Sequence, residues 1–281
     1  MKIIRSIPDM RSISFHCQQQ KRSIGFVPTM GALHQGHASL MQRARKENDF
    51  VVVSIFVNPL QFGPKEDLKK YPRTWESDVQ WLKHAQVDAV FIPGVHEMYP
   101  KGFATLVDVP ALAQTLCGPS RPGHFCGVAT VVAKLFNMVR PTRAYFGEKD
   151  YQQVCLINRM VEDLQMPVRV VACPTVREPD GLACSSRNRY LSAKDREEAV
   201  KLYQALYLGR ELVERRIMTQ SNRLVKRLRG VLTTIPGGRI DYISVVDPVT
   251  LESMQTIRRP ALLAAALWIH KTRLIDNVII S

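Results

Sequence analysis

The stretch FVPTMGALHQGHASL, Phe26–Leu40, passes from an apolar run through a glycine-bearing turn into a helical pattern. Ser23–Val27 reads as a strand. His37–Asn48 carries Leu40, Met41 and Ala44 on one side, as a helix packed on a sheet would. Gly31 and Gly36 stand five residues apart, the spacing of a phosphate-binding P-loop. Where that loop continues with lysine and a hydroxyl residue, this one continues with His37 and Ala38. The layout predicts a strand whose carboxyl end opens onto a helix N-terminus. Open α/β sheets bind their ligands at such places.

The alternation continues outward from there. Runs rich in Val, Ile and Phe predict strands at Phe50–Val57, Asp88–Ile92, Ala144–Phe146 and Val168–Ala172, buried on both faces. Helical patterns lie between them, at Thr74–Ala85 with Thr74 as N-cap, at Val128–Val139 and at Tyr151–Leu164. The expected fold is α/β: a Rossmann-like, doubly wound parallel sheet over residues 1–174, followed by a smaller C-terminal α+β domain over 175–281. In the second part, Ser192 caps a helix to about Gln204, and Asp241–Val246 and Ala261–Leu267 read as strands. The stretch REPDGLACSSRNRYLS, Arg177–Ser192, is either a long loop or a small hairpin around Asp180-Gly181.

A chain of 281 residues with 46% hydrophobic content can bury one large core or two smaller ones. Its apolar runs VVVSIFV and ALLAAALWI fall short of the roughly 20 residues that span a bilayer, and MKIIRSIPDMRS lacks the apolar centre of a signal peptide. A cytoplasmic protein with no membrane partner is the expectation. The six cysteines form no C-x-x-C pair and are expected to be reduced thiols. A net charge of +14 suits an anionic partner. Eight basic residues against Glu211 and Glu214 between Lys201 and Gly230 form either a solvated helix face or a face for RNA or acids. Aromatic interleaving is missing there, so nucleic acid is not the expected partner.

Four clusters carry chemistry. His34 and His37 are three apart, and share a face if the turn already winds helically. Two imidazoles there can donate to a triphosphate and stabilise charge developing on departing pyrophosphate. The alternative is that His34 caps a turn and His37 is an ordinary residue of the first helical turn. In YFGEKDYQQV, Tyr145–Val154, Lys149 lies at a strand–helix junction where a flexible cation reaches a phosphate, while Asp150 suits an N-cap or a ribose hydroxyl. In ACSSRN, Ala183–Asn188, Ser185, Ser186 and Arg187 are hydroxyls followed by a guanidinium, suited to phosphate oxygens or to a polar turn. In VNPLQFGPKEDLKKYPRT, Val57–Thr74, Asn58 and Gln61 are neutral amides, which select hydroxyls and carboxylates or cap a loop.

The H-x-G-H pattern of His34 to His37 resembles the signature of the nucleotidyltransferase superfamily, which includes the class I aminoacyl-tRNA synthetases. RPGHF-GVATVVAKLFN (Arg121–Asn137), FGEKDYQQ, REPDGLACSSRNRYLS and the closing TRLIDN follow in order. With PTMGALHQGH they resemble the pantothenate synthetase (pantoate–β-alanine ligase) family across essentially the whole chain. The resemblance implies ATP-dependent condensation of (R)-pantoate with β-alanine through a pantoyl adenylate, releasing AMP and pyrophosphate. It implies that Pro28, Thr29, Met30, Gly31, Ala32, Leu33, His34, Gln35, Gly36 and His37 line the ATP site, with His37 as general acid and His34 beside it. Gly147, Glu148, Lys149 and Asp150 are then nucleotide contacts, with Lys149 near the α-phosphorus. Val176 sits against adenine through its backbone, and Cys184, Ser185, Ser186 and Arg187 form a phosphate-gripping loop. Gln61 and Gln153 hold pantoate, Gln61 also nears β-alanine, and Asn58 helps. Mg2+ bridges the phosphates, with Asp78 either helping to position it or serving as a surface charge. A homodimer through the N-terminal domains, with the C-terminal domain closing over ATP, completes the implied picture. Cys184 departs from the family, which more often has leucine there.

Overall fold

The computed structural model describes residues 1–64 and 66–281. Its strands are β1 (Lys2–Ile4), β2 (Ile24–Thr29), β3 (Phe50–Ile55), β4 (Ala89–Phe91), β5 (Arg143–Gly147), β6 (Arg169–Cys173), β7 (Gly238–Val246), β8 (Ala261–Ile269) and β9 (Thr272–Ile280). Its helices are α1 (Ile7–Gln19), α2 (Gln35–Glu47), α3 (Trp75–His84), α4 (Val95–Met98), α5 (Pro110–Ala113), α6 (His124–Val139), α7 (Tyr151–Asp163), α8 (Ala193–Glu214) and α9 (Ser221–Leu232). The chain divides into two compact units. The first comprises Met1–Ala113, Arg121–Glu148 and Gln153–Pro174; the second comprises Gln114–Ser120, Lys149–Gln152 and Thr175–Ser281.

The first unit is built on a parallel sheet of order β1-β4-β3-β2-β5-β6, as the apolar runs predict. Strand alternation sends Val27, Val51, Val53 and Tyr145 to one face, where Leu40, Met41 and Ala44 of α2 cover them. Phe26 and Phe146 face the other way and meet Phe136 of α6 edge-on, both at a centroid distance of 6.4 Å. The chain winds outward from β2 through β3 to β4, then restarts at β5 on the other side of β2. The strand order therefore reverses between β2 and β5, and their carboxyl ends flank the crevice in which doubly wound sheets bind ligands. The turn of Pro28–His37 leaves one of these ends and Gly147-Glu148 leaves the other.

The second unit has the antiparallel sheet β7-β8-β9 with α8 and α9 packed on it. Ser192 caps α8 as expected, its hydroxyl accepting from Asp195 N, and α8 runs on to Glu214. In α9, Leu224, Leu228 and Leu232 are buried while Arg223, Lys226, Arg227 and Arg229 face solvent, so the basic segment is a solvated amphipathic face. All six cysteines are free thiols. No described helix is long and apolar enough to cross a membrane.

One close approach in the first unit has a direct test. A Cβ at Gly127 in α6 would stand 2.5 Å from the carbonyl carbon of Leu60 and 2.7 Å from Gln61 N. Gly127→Ala is expected to push the 58–61 turn off α6 and cost about 1–3 kcal/mol. Thermal melting lower by several degrees checks this; an unchanged melting temperature contradicts it.

Candidate active site

Between β2 and α2 the backbone takes a left-handed path, with φ +83° at Gly31 and +52° at Ala32. Glycine adopts this freely, but alanine pays steric strain, so something must hold the turn. Asp78 does so from the first turn of α3. Its Oδ2 accepts from Ala32 N at 3.1 Å, and its Oδ1 accepts from Leu33 N at 2.8 Å and from the Thr74 hydroxyl at 3.0 Å. Thr74 occupies the N-cap position but spends its hydroxyl on Asp78 instead of capping the helix. Behind the turn, Thr29 Oγ1 accepts from Gly31 N and donates to Ser54 O, which ties it to β3.

His34 is not helical. Its φ of −149° and ψ of 179° are extended, and it is the N-cap of α2. The two rings still meet, with centroids 4.1 Å apart, because they cap reciprocally. His34 Nδ1 accepts from Gly36 N at 3.1 Å, and His37 Nδ1 accepts from His34 N at 3.3 Å. A nitrogen that accepts carries no proton, so the neutral tautomer of each ring bears its hydrogen on Nε2. Capping thus uses the Nδ1 of both rings.

The 58–61 turn is fixed by a chain of amides. Gly127 O can only accept, so the amide end of buried Asn58 faces it, at 3.0 Å. The same Nδ2 donates to Gln61 Oε1 at 3.0 Å, while Asn58 Oδ1 accepts from the Tyr99 hydroxyl at 2.7 Å. Burial pushes the Tyr99 phenol well up, which keeps it a donor. Gln61 is thereby oriented with its NH2 toward Met30 Sδ, 3.2 Å away. Its backbone carbonyl accepts from His124 Nδ1 at 2.7 Å. Arg121 Nη1 lies 2.9 Å from His124 Nε2, and a guanidinium only donates, so the ring hydrogen is on Nδ1. Arg121 also grips Glu66 through both carboxylate oxygens at 2.7 Å.

In the second unit, Lys149 and Asp150 sit in the one-turn 3-10 segment Glu148–Asp150 that leads into α7. Arg177–Ser192 begins with a hairpin, bridged at Arg177↔Ala183 and closed by Glu178 N to Leu182 O at 2.8 Å. Cys184 N donates to Val176 O at 3.0 Å, so positions 176 and 184 are partners across this hairpin. Ser185 then caps a 3-10 turn over Ser186–Tyr190, accepting from Arg187 N.

A family model described as pantoate-beta-alanine ligase matches residues 2–279. The chain belongs to the pantoate–β-alanine ligase family. It is 52% identical over 280 residues to a pantothenate synthetase of Thermosipho africanus (strain TCF52B), and 51% identical over 283 residues to one of Thermotoga petrophila, covering 100% of each chain in both alignments. The crystal structure of pantothenate synthetase from Thermus thermophilus superposes with a TM-score of 0.93 at 48% identity, covering 100% of this chain and 99% of that one. The Francisella tularensis ligase, complexed with β,γ-ATP and β-alanine, superposes with a TM-score of 0.81 at 38% identity, covering 99% of this chain and 97% of that one.

Within the first unit the structure brings Met30, Gln61 and Asn58 into one hydrogen-bonded group and sets the His34 ring against that of His37, tilted by 43°. Gly147 stands at the end of β5, where an added Cβ would meet nothing within 4 Å, and Gln153 lies in the first turn of α7. For Asp78 the structure decides against one of the two readings the sequence offered. At 2% exposure it is no surface charge, and its oxygens are taken by the Ala32 and Leu33 amides and by Thr74. It anchors the turn. Sequence reading missed Tyr99, His124 and Glu66, whose partners lie 41 to 63 residues away in the chain.

Burial pushes the Glu66 carboxyl up, but the Arg121 hydrogen bonds and charge, with His124 behind, outweigh burial and hold it below the ordinary carboxylate value. A depressed carboxylate stabilises the fold fully above its unfolded value, about pH 4.3, and loses that stabilisation as pH falls through the folded value. Melting temperatures taken from pH 6 down to pH 3 are expected to fall less steeply in Glu66→Gln than in the parent. Parallel acid limbs would contradict the clamp.

Proposed function

We propose that this chain is an ATP-dependent acid–amine ligase that condenses (R)-pantoate with β-alanine to pantothenate. In the first step a pantoate carboxylate oxygen attacks the α-phosphorus of ATP, and the bond to the bridging oxygen of pyrophosphate breaks. In the second step the amine of β-alanine attacks the acyl carbon of the pantoyl adenylate, AMP leaves with the bonding electrons, and the nitrogen loses a proton. The observation that carries this reading is the histidine pair. Two rings with their hydrogens on Nε2 stand at a helix N-terminus beside the switch point of the sheet.

Each ring's Nε2–H donates to phosphate oxygens, and His37 supports the charge that grows on departing pyrophosphate. Pro28 to Leu33, Gln35 and Gly36 shape the bed for ATP. Gln61 offers its NH2 to the pantoate carboxylate, with Gln153 on the same substrate and Asn58 behind Gln61. Lys149 neutralises charge around the α-phosphorus, and Gly147, Glu148 and Asp150 contact the nucleotide. Val176 meets adenine, and Cys184, its partner across the hairpin, leads into Ser185, Ser186 and Arg187 of the following 3-10 turn to grip phosphates. In this reading the part of the chain from 175 closes over ATP.

Magnesium needs no cage of protein ligands here. Among the described residues no group of three or more His, Cys, Asp or Glu is placed to hold a metal, and the Asp78 oxygens are occupied. In this proposal Mg2+ arrives on the triphosphate, which suits an ion that keeps water and substrate oxygens as ligands. A cytoplasmic homodimer joined through its N-terminal parts belongs to the same proposal; Ile3 and Phe15 expose apolar surface there, 50% and 55% accessible.

A second reading is a nucleotidyltransferase that adenylates a phosphate acceptor. That acceptor would want cations beside Gln61. The side-chain amides of Gln61 and Asn58 bond to Met30 and Tyr99, both uncharged, while Arg121, which reaches the Gln61 backbone only through His124, is already paired with Glu66; this favours the acid.

Isotope exchange between pyrophosphate and ATP tests the mechanism. Exchange is expected to require (R)-pantoate and to proceed without β-alanine; no pantoate-dependent exchange would sink the adenylate. His37→Ala and Lys149→Ala are each expected to lose about 10²–10³-fold in exchange while remaining folded. Near-parental exchange in either variant removes that residue from the chemistry.

A further inference from the structure

The motif TRLIDN, Thr272–Asn277, has no role in the reaction above. It forms the first six residues of β9, the strand paired with β8 through Asp276↔Ala265 and Asn277↔Ala264. Alternation along a strand sends neighbouring side chains to opposite faces. Asp276 shares the core face with Leu274, Val278 and Ile280, while Asn277 shares the other face with Arg273 and Ile275.

On the core face, Asp276 is 4% exposed and pairs with Arg177 through both oxygens, at 2.6 and 3.0 Å. Arg177 lies 4.0 Å over the Tyr203 ring and donates to Gly181 O at 3.1 Å. This clamps the hairpin that runs into Ser185, Ser186 and Arg187. On the opposite face, Asn277 Nδ2 donates to the backbone carbonyl of Lys149 at 3.0 Å. The two halves join at the dipeptide itself. Asp276 Oδ1 accepts from Asn277 N at 2.8 Å, and Arg177 Nη2 reaches Asn277 O at 3.3 Å. All these residues belong to the second unit.

We propose that Asp276-Asn277 is a positioning pair that holds Lys149 in a fixed relation to the serine–arginine turn, Asn277 by fixing the Lys149 backbone and Asp276 by clamping the hairpin. The proposal rests on Lys149 acting at the α-phosphorus. A lysine side chain is long and flexible, so its aim is set by where its backbone is held. A shift of about 1 Å in a group that stabilises the transition state costs on the order of 10²-fold in rate. Removing Asp276 would leave Arg177 buried without its partner and damage the fold, so the test falls on Asn277.

Asn277→Leu keeps the side-chain size and removes the donor. Pyrophosphate–ATP exchange is expected to fall about 10- to 10²-fold. The attack of β-alanine on supplied pantoyl adenylate and the melting temperature should stay near the parent's. Added to Lys149→Ala, Asn277→Leu should cause no further loss of exchange, because it acts through Lys149. Should Asn277→Leu not fold, Asn277→Asp replaces the donor with an acceptor facing the same carbonyl and is expected to show the same pattern. Parental exchange in the single variant, or a loss that adds to that of Lys149→Ala, overturns the proposal. Parental exchange in Lys149→Ala alone overturns the role of Lys149 itself, and the positioning pair with it.

Discussion

The carboxylate of Asp78, almost wholly out of water, accepts the backbone amides of Ala32 and Leu33 and the hydroxyl of Thr74. A buried carboxylate is costly unless bonded, and a left-handed turn at Gly31-Ala32 is strained unless held. Each problem answers the other. Once the turn is held, His34 enters α2 as an extended N-cap, the two rings cap one another through Nδ1, and Nε2 of each carries the hydrogen of the neutral form. Changing one carboxylate therefore reaches both imidazoles.

The same device recurs behind the other loops. Asn58, 1% exposed, orients Gln61 and is itself oriented by Gly127 and Tyr99. Asp276, also buried, holds the hairpin through Arg177. In each case a polar side chain with its bonds satisfied stands at a position the fold would otherwise fill with an apolar one. A satisfied buried polar group rigidifies its surroundings, because any displacement leaves it unpaired in a low dielectric. The 31–37 turn, the 58–61 turn and the 177–183 hairpin are thus each held from behind by a buried polar side chain.

The parallel sheet was legible because β2, β3 and β5 are near-continuous apolar runs and α2 has a clean apolar stripe. What stayed hidden shares one cause. Helix α1 buries Met10, Ser14 and Cys17 at helical spacing, but Ser14 in the middle is polar, its hydroxyl bonded to Met10 O, and it breaks the stripe. Strand β9 places Asp276 in its core row, where a carboxylate breaks the apolar alternation. Among the candidate site residues, the histidines, Lys149 and Gln61 could be named because their types and spacing bear chemistry. The helical winding that would have put both rings on one face does not extend to His34, since the cap geometry depends on Asp78, more than 40 residues away. Local spacing cannot reveal a partner so distant.

Amide hydrogen exchange at Ala32 and Leu33, followed residue by residue by NMR, tests the central claim most directly. Both amides should be protected in the parent at neutral pH, and Asp78→Ala should speed their exchange roughly tenfold or more while leaving β3 and β5 protected. Fast exchange at these amides in the parent, or unchanged protection in the variant, would contradict the account.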